Sequence, residues 1–138
     1  MPENYHNHLD NIIKARKEEI MAIRKGLQTL LPTKLQEPSL RVLACIIEFD
    51  DHTSRCPTAH ELTEHVRLKF DTDVTNSRAT QIMDLLYKRG FLVDAKKPTS
   101  VITSNAANGR RTSKVKYDLH EKYKLYNWPH EHLSKVGD

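Results

Sequence analysis

The stretch Thr75-Asn76-Ser77-Arg78-Ala79-Thr80-Gln81-Ile82-Met83-Asp84-Leu85-Leu86-Tyr87-Lys88-Arg89-Gly90-Phe91-Leu92-Val93 decides the reading of this chain. Ala79, Ile82, Leu85 and Leu86 recur at helical spacing, so the first two thirds form a helix with one apolar face. Thr75 is a hydroxyl residue placed to cap its start. Gly90 stands just past the end, where positive φ costs least. Phe91-Leu92-Val93 is then short and β-prone, so the chain leaves the helix directly into a strand.

Downstream, Val101-Ile102-Thr103 is a second β-prone run and Asn105-Ala106-Ala107-Asn108-Gly109 a turn, with Asn-Gly a strong hairpin signal. Lys114 to Leu119 alternates polar and apolar as a half-buried strand does. The tail from His120 to Leu133 carries Tyr123, Leu125, Tyr126 and Trp128 on an expected short helix stopped by Pro129.

Upstream, Thr58 and Glu61 form a T-x-x-E capping box, which opens a helix with Leu62, Val66 and Phe70 inward. Asp50 to Pro57 reads as a polar loop. Before it, Pro38 suits a first helical turn, and Leu40, Leu43, Ile46 and Ile47 give a core stripe ending at Phe49. The segment His8 to Leu31 has a heptad-like stripe: Leu9, Ile13, Ile20, Ile23, Leu27 and Leu30, with one polar break at Arg16. Such a stripe either packs on its own domain or pairs with a second copy of the chain. Pairing is the expectation, which makes these six residues the dimerisation set.

Charge adds a second line of argument. The chain of 138 residues has a net charge of +4. Between Lys88 and Tyr117 there are eight basic residues and one acid, Asp94, so this segment is at +7 and the rest at −3. A basic block on a nearly neutral body is the footprint of a polyanion binder. Lys96 and Lys97 leave on one strand; Arg110, Arg111, Lys114 and Lys116 return on the other. No acid occurs from Val74 to Met83. Asn76, Ser77, Arg78, Thr80 and Gln81 can bond base edges, and Thr75 a phosphate.

Three short helices followed by a hairpin is the order of a winged helix-turn-helix, and the resemblance rests on particular residues. Pro38 to Phe49 looks like the first helix, and Thr58-Ala59-His60-Glu61-Leu62 like the opening of the second. Thr75 to Gly90, with its exit through Phe91-Leu92-Val93, resembles the recognition helix. Gly109-Arg110-Arg111 through Tyr117-Asp118-Leu119 resembles the returning wing strand of MarR-like transcriptional regulators. The chain departs from that pattern at Asn108-Gly109, where MarR-like wings usually carry an Asp before the Arg pair.

The expectation is therefore an α+β, mainly helical protein. Residues 1–37 hold the dimerisation helix and linker, 38–119 the winged domain, and 120–138 an aromatic tail. The resemblance implies sequence-specific binding of double-stranded DNA by a homodimeric transcriptional regulator on an inverted repeat. The alternative, of a different class, is a protein-interaction or replication and partition module of a phage, plasmid or mobile element.

Other functions find little support. There is no apolar run of membrane length and no signal-peptide pattern, so a cytoplasmic, nucleoid-associated protein is expected, with no membrane partner. Gly-rich phosphate loops are absent, and no Ser-His-Asp or carboxylate pair suggests an enzyme. His60 and His65 are five apart and point to different helix faces, unlike H-E-x-x-H. The His6/His8 and His130/His132 pairs read as solvated tails, so no metal or cofactor is expected, and no effector is named. Cys45 reads as a core residue and Cys56 as a loop thiol.

Overall fold

The computed structural model describes residues 18–31, 35–106 and 109–128, with backbone alone at 98, 102–106 and 109–113. The fold is α+β and mainly helical. Helix α1 covers 18–30, α2 Glu37–Thr53, α3 Ala59–Phe70 and α4 Asn76–Lys88. Strands β1, Leu92–Ala106, and β2, Gly109–Leu119, form one antiparallel hairpin. Two single-turn 3-10 helices, Glu121–Tyr123 and Leu125–Asn127, follow in place of the expected tail helix. Among the described residues no helix is long and apolar enough to cross a membrane.

Helix α2 is the axis of the core. Leu40, Leu43, Ile46 and Ile47 are buried as the spacing predicts, but so are Val42, Ala44 and Cys45. The helix is covered on most sides because α3, α4, β2 and the second 3-10 turn all touch it. It also runs into the expected polar loop, as far as Thr53. Asp50 is buried, with its carboxylate 4.0 Å from the Lys124 ammonium. Ser54 then ends the helix in the left-handed region at φ 61 and donates its N–H to the Asp50 carbonyl. The next turn folds inward, so Cys56 is a buried residue and not an open loop thiol. Burial pushes both cysteine thiols well above their ordinary value, which leaves them inert.

The capping box on α3 is present in full. Thr58 Oγ1 accepts the Glu61 N–H at 3.2 Å, and Glu61 Oε1 accepts the Thr58 N–H at 3.0 Å. Arg55 adds a fork of two bonds to the same carboxylate, at 2.8 and 2.7 Å, and lies over the Phe49 ring. Helix α3 ends at Asp71, left-handed at φ 53, a position that Asp tolerates better than most side chains. Leu62 and Val66 are buried and Phe70 is half-buried against the core. Between α2 and α3, the buried Glu48 accepts from Lys69 Nζ at 2.8 Å and faces His65 Nε2 at 3.1 Å. His60 lies instead beside Glu64, so the two histidines share no site.

On α4 the buried set is Ala79, Ile82, Met83 and Leu86, not Leu85. Those four fall at i, i+3, i+4 and i+7, a tighter stripe than the expected one, and Leu85 is turned outward. Gly90 takes φ 85 as its position predicts.

The amphipathic stripe of α1 is spent inside the chain. Ile20, Ile23 and Leu27 have no exposed surface, and Leu30 packs partly against the same core. Ile20, Ile23 and Leu27 are therefore covered within the chain and offer no surface to a second copy. Leu9 and Ile13 lie outside the described residues. An Arg24 fork to Glu37, at 2.7 and 2.6 Å, joins α1 to the start of α2. Trp128 from the tail lies buried against Gly26, and its indole N–H donates to the Tyr123 carbonyl at 2.9 Å.

Candidate nucleic-acid interface

Helix α4 and the hairpin carry the candidate residues, and α4 packs against β1. Thirteen residues give α4 a length of about 20 Å, enough to lie across a DNA major groove of about 12 Å. Thr75 caps it: its hydroxyl accepts the Arg78 N–H at 3.1 Å. With Ala79, Ile82, Met83 and Leu86 turned inward, Ser77, Arg78, Gln81, Leu85 and Lys88 form an exposed stripe. Asn76 is also exposed, at the first helical position. Thr80 stands apart from this set. It is only partly exposed, its hydroxyl donates to the Asn76 carbonyl at 2.9 Å, and it lines the cleft toward the hairpin. The structure thus brings Ser77, Arg78 and Gln81 to the open face and places Thr80 on its flank.

The hairpin is anchored at its base. Leu92, Val115 and Leu119 are buried, and Tyr117 and Val101 are partly so. The ladder pairs Leu92 with Leu119 and Asp94 with Tyr117, then resumes at Thr99 opposite Val115. The extra β1 residues in that gap include Pro98, which has no N–H for a ladder. The Lys96 N–H finds a partner instead in the Asp118 carboxylate, at 3.1 Å. Lys96 and Lys97 therefore sit on a bulged, exposed segment, and Lys114 and Lys116 flank the buried Val115 on the facing strand. The backbone continues as a paired ladder to Ala106 opposite Gly109, with Arg110 and Arg111 opposite Asn105 and Ser104. Ten residues of β2 from Leu119 make a ribbon of about 33 Å.

Ion pairing divides the described cations into two groups. Arg24 and Arg41 share Glu37, Arg55 holds Glu61, Lys69 holds Glu48, and Lys124 faces Asp50 and Glu121. Arg78, Lys88, Arg89, Lys96, Lys97, Lys114 and Lys116 have no carboxylate within ion-pair distance among the described residues, and on the body the same holds for Lys25, Arg67 and Lys122. The acids near them are engaged by other donors: Tyr117 Oη donates to Asp84 Oδ1 at 2.6 Å, and Tyr87 Oη to Asp94 Oδ2 at 3.1 Å. The Asp84 bond, with some burial, pushes the Tyr117 hydroxyl up to about 12. These tyrosine–aspartate pairs were not read from the sequence. The i, i+4, i+7 spacing of Thr80, Asp84 and Tyr87 is the signal that would have marked a second polar face on α4.

Elsewhere, a groove of about 400 Å³ with Val42, Val66, Val74 and Ile82 in its lining runs beside Arg78. Glu19, Asp51 and His52 bring donor atoms within 4.8 Å of one another, but His52 already faces Glu19 at 3.3 Å. No family model, curated protein or solved structure matches the chain.

Proposed function

We propose that the chain is a sequence-specific binder of double-stranded DNA, acting as a transcriptional regulator with a winged helix-turn-helix. Helix α4 would be the recognition helix and the β1–β2 hairpin the wing. The observation that carries this reading is the division of charge. Five of the eight described lysines and arginines of the body pair with carboxylates, while none of the seven on α4, its C-cap and the hairpin does, beside exposed Ser77 and Gln81. Unpaired, exposed lysines on a β-hairpin suit phosphates, and an Arg and a Gln on one helix face suit guanine and adenine edges. Thr75 and the hairpin residues Lys96, Lys97, Lys114 and Lys116 would then hold the backbone. Arg78 and Gln81 would read bases, with Asn76 and Ser77 at their side. The order of α2, α3, α4 and hairpin supports the same reading.

A homodimer on an inverted repeat belongs to this proposal, but its contact must use residues other than Ile20, Ile23 and Leu27. Selection of bound duplexes from a random pool tests the proposal. Enriched sequences with two half-sites about ten base pairs apart support it. A pool that stays random under stringent selection refutes the claim of sequence specificity.

A further inference from the structure

Four side chains close a ring between α4 and the hairpin. Asp84 and Tyr87 are one turn apart on the helix, and Asp94 and Tyr117 are directly opposite in the ladder. The helix aspartate accepts from the strand tyrosine at 2.6 Å, and the strand aspartate accepts from the helix tyrosine at 3.1 Å. The two tyrosine rings lie 5.0 Å apart at 32°. This rung is the last before the ladder breaks at Pro98. One of the bonds crosses a cleft of about 220 Å³ that Thr80 and Asp84 line from α4, and Lys114, Lys116 and Tyr117 from β2.

We propose that this ring is an orienting clamp that sets the angle of the hairpin to α4, so that Lys114 and Lys116 reach the DNA backbone while Arg78 and Gln81 face the groove. The proposal rests on the DNA-binding reading. Asp84 and Tyr117 are positioning residues in it and touch no base or phosphate. A bare carboxylate beside a polyanion would weaken binding, yet Asp84 and Asp94 stand beside this cleft. Their use as acceptors accounts for both.

The sign of one substitution separates the clamp from simple electrostatics. Asp84→Ala removes a negative charge, so charge alone predicts tighter binding to duplex. The clamp predicts weaker binding, because the acceptor is gone. Asp84→Asn loses the same charge but keeps a carbonyl that can accept from Tyr117, so it should restore binding. With a fluorescein-labelled duplex and anisotropy readout, Asp84→Ala and Tyr117→Phe should bind about five-fold or more weakly than wild type. Asp84→Asn should bind at least as well as wild type. Thermal melts of each variant show that the fold is kept. Ultraviolet titration gives a readout without DNA. One tyrosine should keep its proton to about 12 in the wild type and ionise nearer the ordinary value of about 10 in Asp84→Ala. Unchanged or tighter binding by Asp84→Ala, equal loss in Asp84→Asn, or an unshifted tyrosine overturns the clamp and leaves DNA binding standing. Absence of duplex binding by the wild type overturns both.

Discussion

Ile23→Ala separates a helix packed on its own core from a helix waiting for a partner. Ile23 has no exposed surface, and its neighbours Ile20 and Leu27 are equally enclosed. The substitution removes three carbons, worth about 2.4 kcal/mol at ~0.8 kcal/mol per buried methylene. The cavity left behind adds to this, which brings the loss to about 3 kcal/mol, within the range for such truncations. For a chain of this length that lowers the melting temperature by roughly 10 °C. The assay is thermal unfolding followed by circular dichroism at several protein concentrations. A stripe at a dimer interface would behave differently: wild-type melting would rise with concentration, and the variant would be a folded monomer. Intrachain packing predicts a loss that is the same at every concentration. A folded variant that melts like the wild type but sediments at half its mass would refute this packing.

Other outcomes test separate parts of the structure. Gly26→Ala should destabilise although Ala is the better helix former by about 1 kcal/mol. An added Cβ would sit 2.7 Å from Trp128 Cζ3, so a red-shifted tryptophan emission should accompany the loss. Glu61→Gln should cost less than about 1 kcal/mol at neutral pH, since the Arg55 pair is partly exposed. Burial raises the Glu61 carboxyl, but the bonds from Arg55 and Thr58 outweigh it and hold it below its ordinary 4.5. Its contribution is therefore present above pH 4.5 and lost as pH falls through the lower folded value, so the gap between the two melts should close in acid. Arg78→Ala should cost about 1–3 kcal/mol on a selected duplex and less on random DNA; equal losses on both would make Arg78 a phosphate contact.

What the sequence shows is mostly local. The capping box at Thr58, the cap at Thr75 and the positive φ at Gly90 follow from single residues and their neighbours, and each is present. The helix order and the hairpin were legible for the same reason. Properties that depend on distant packing were not. Asp50 looks like a loop residue until Lys124, brought in from the tail, stands beside it. The α1 stripe shows an apolar face but not what covers it, since a second copy and the chain's own core impose the same spacing. Leu85 and Met83 are near-equal choices on a helical wheel, and the neighbours of α4 decide between them. In the site, charge and residue type marked Arg78 and the hairpin lysines. The tyrosine–aspartate ring joins residues 33 positions apart, and no local pattern shows such a contact.

The salt dependence of duplex binding tests the central claim most directly. If Lys96, Lys97, Lys114 and Lys116 each neutralise a phosphate, the affinity of one protomer should fall with log salt at a slope near −3.6, at about −0.9 per contact. Lys114→Ala combined with Lys116→Ala should flatten that slope by about 1.8. A wild-type slope shallower than about −1, or a double variant with the wild-type slope, would contradict the assignment of the unpaired hairpin lysines to DNA phosphates.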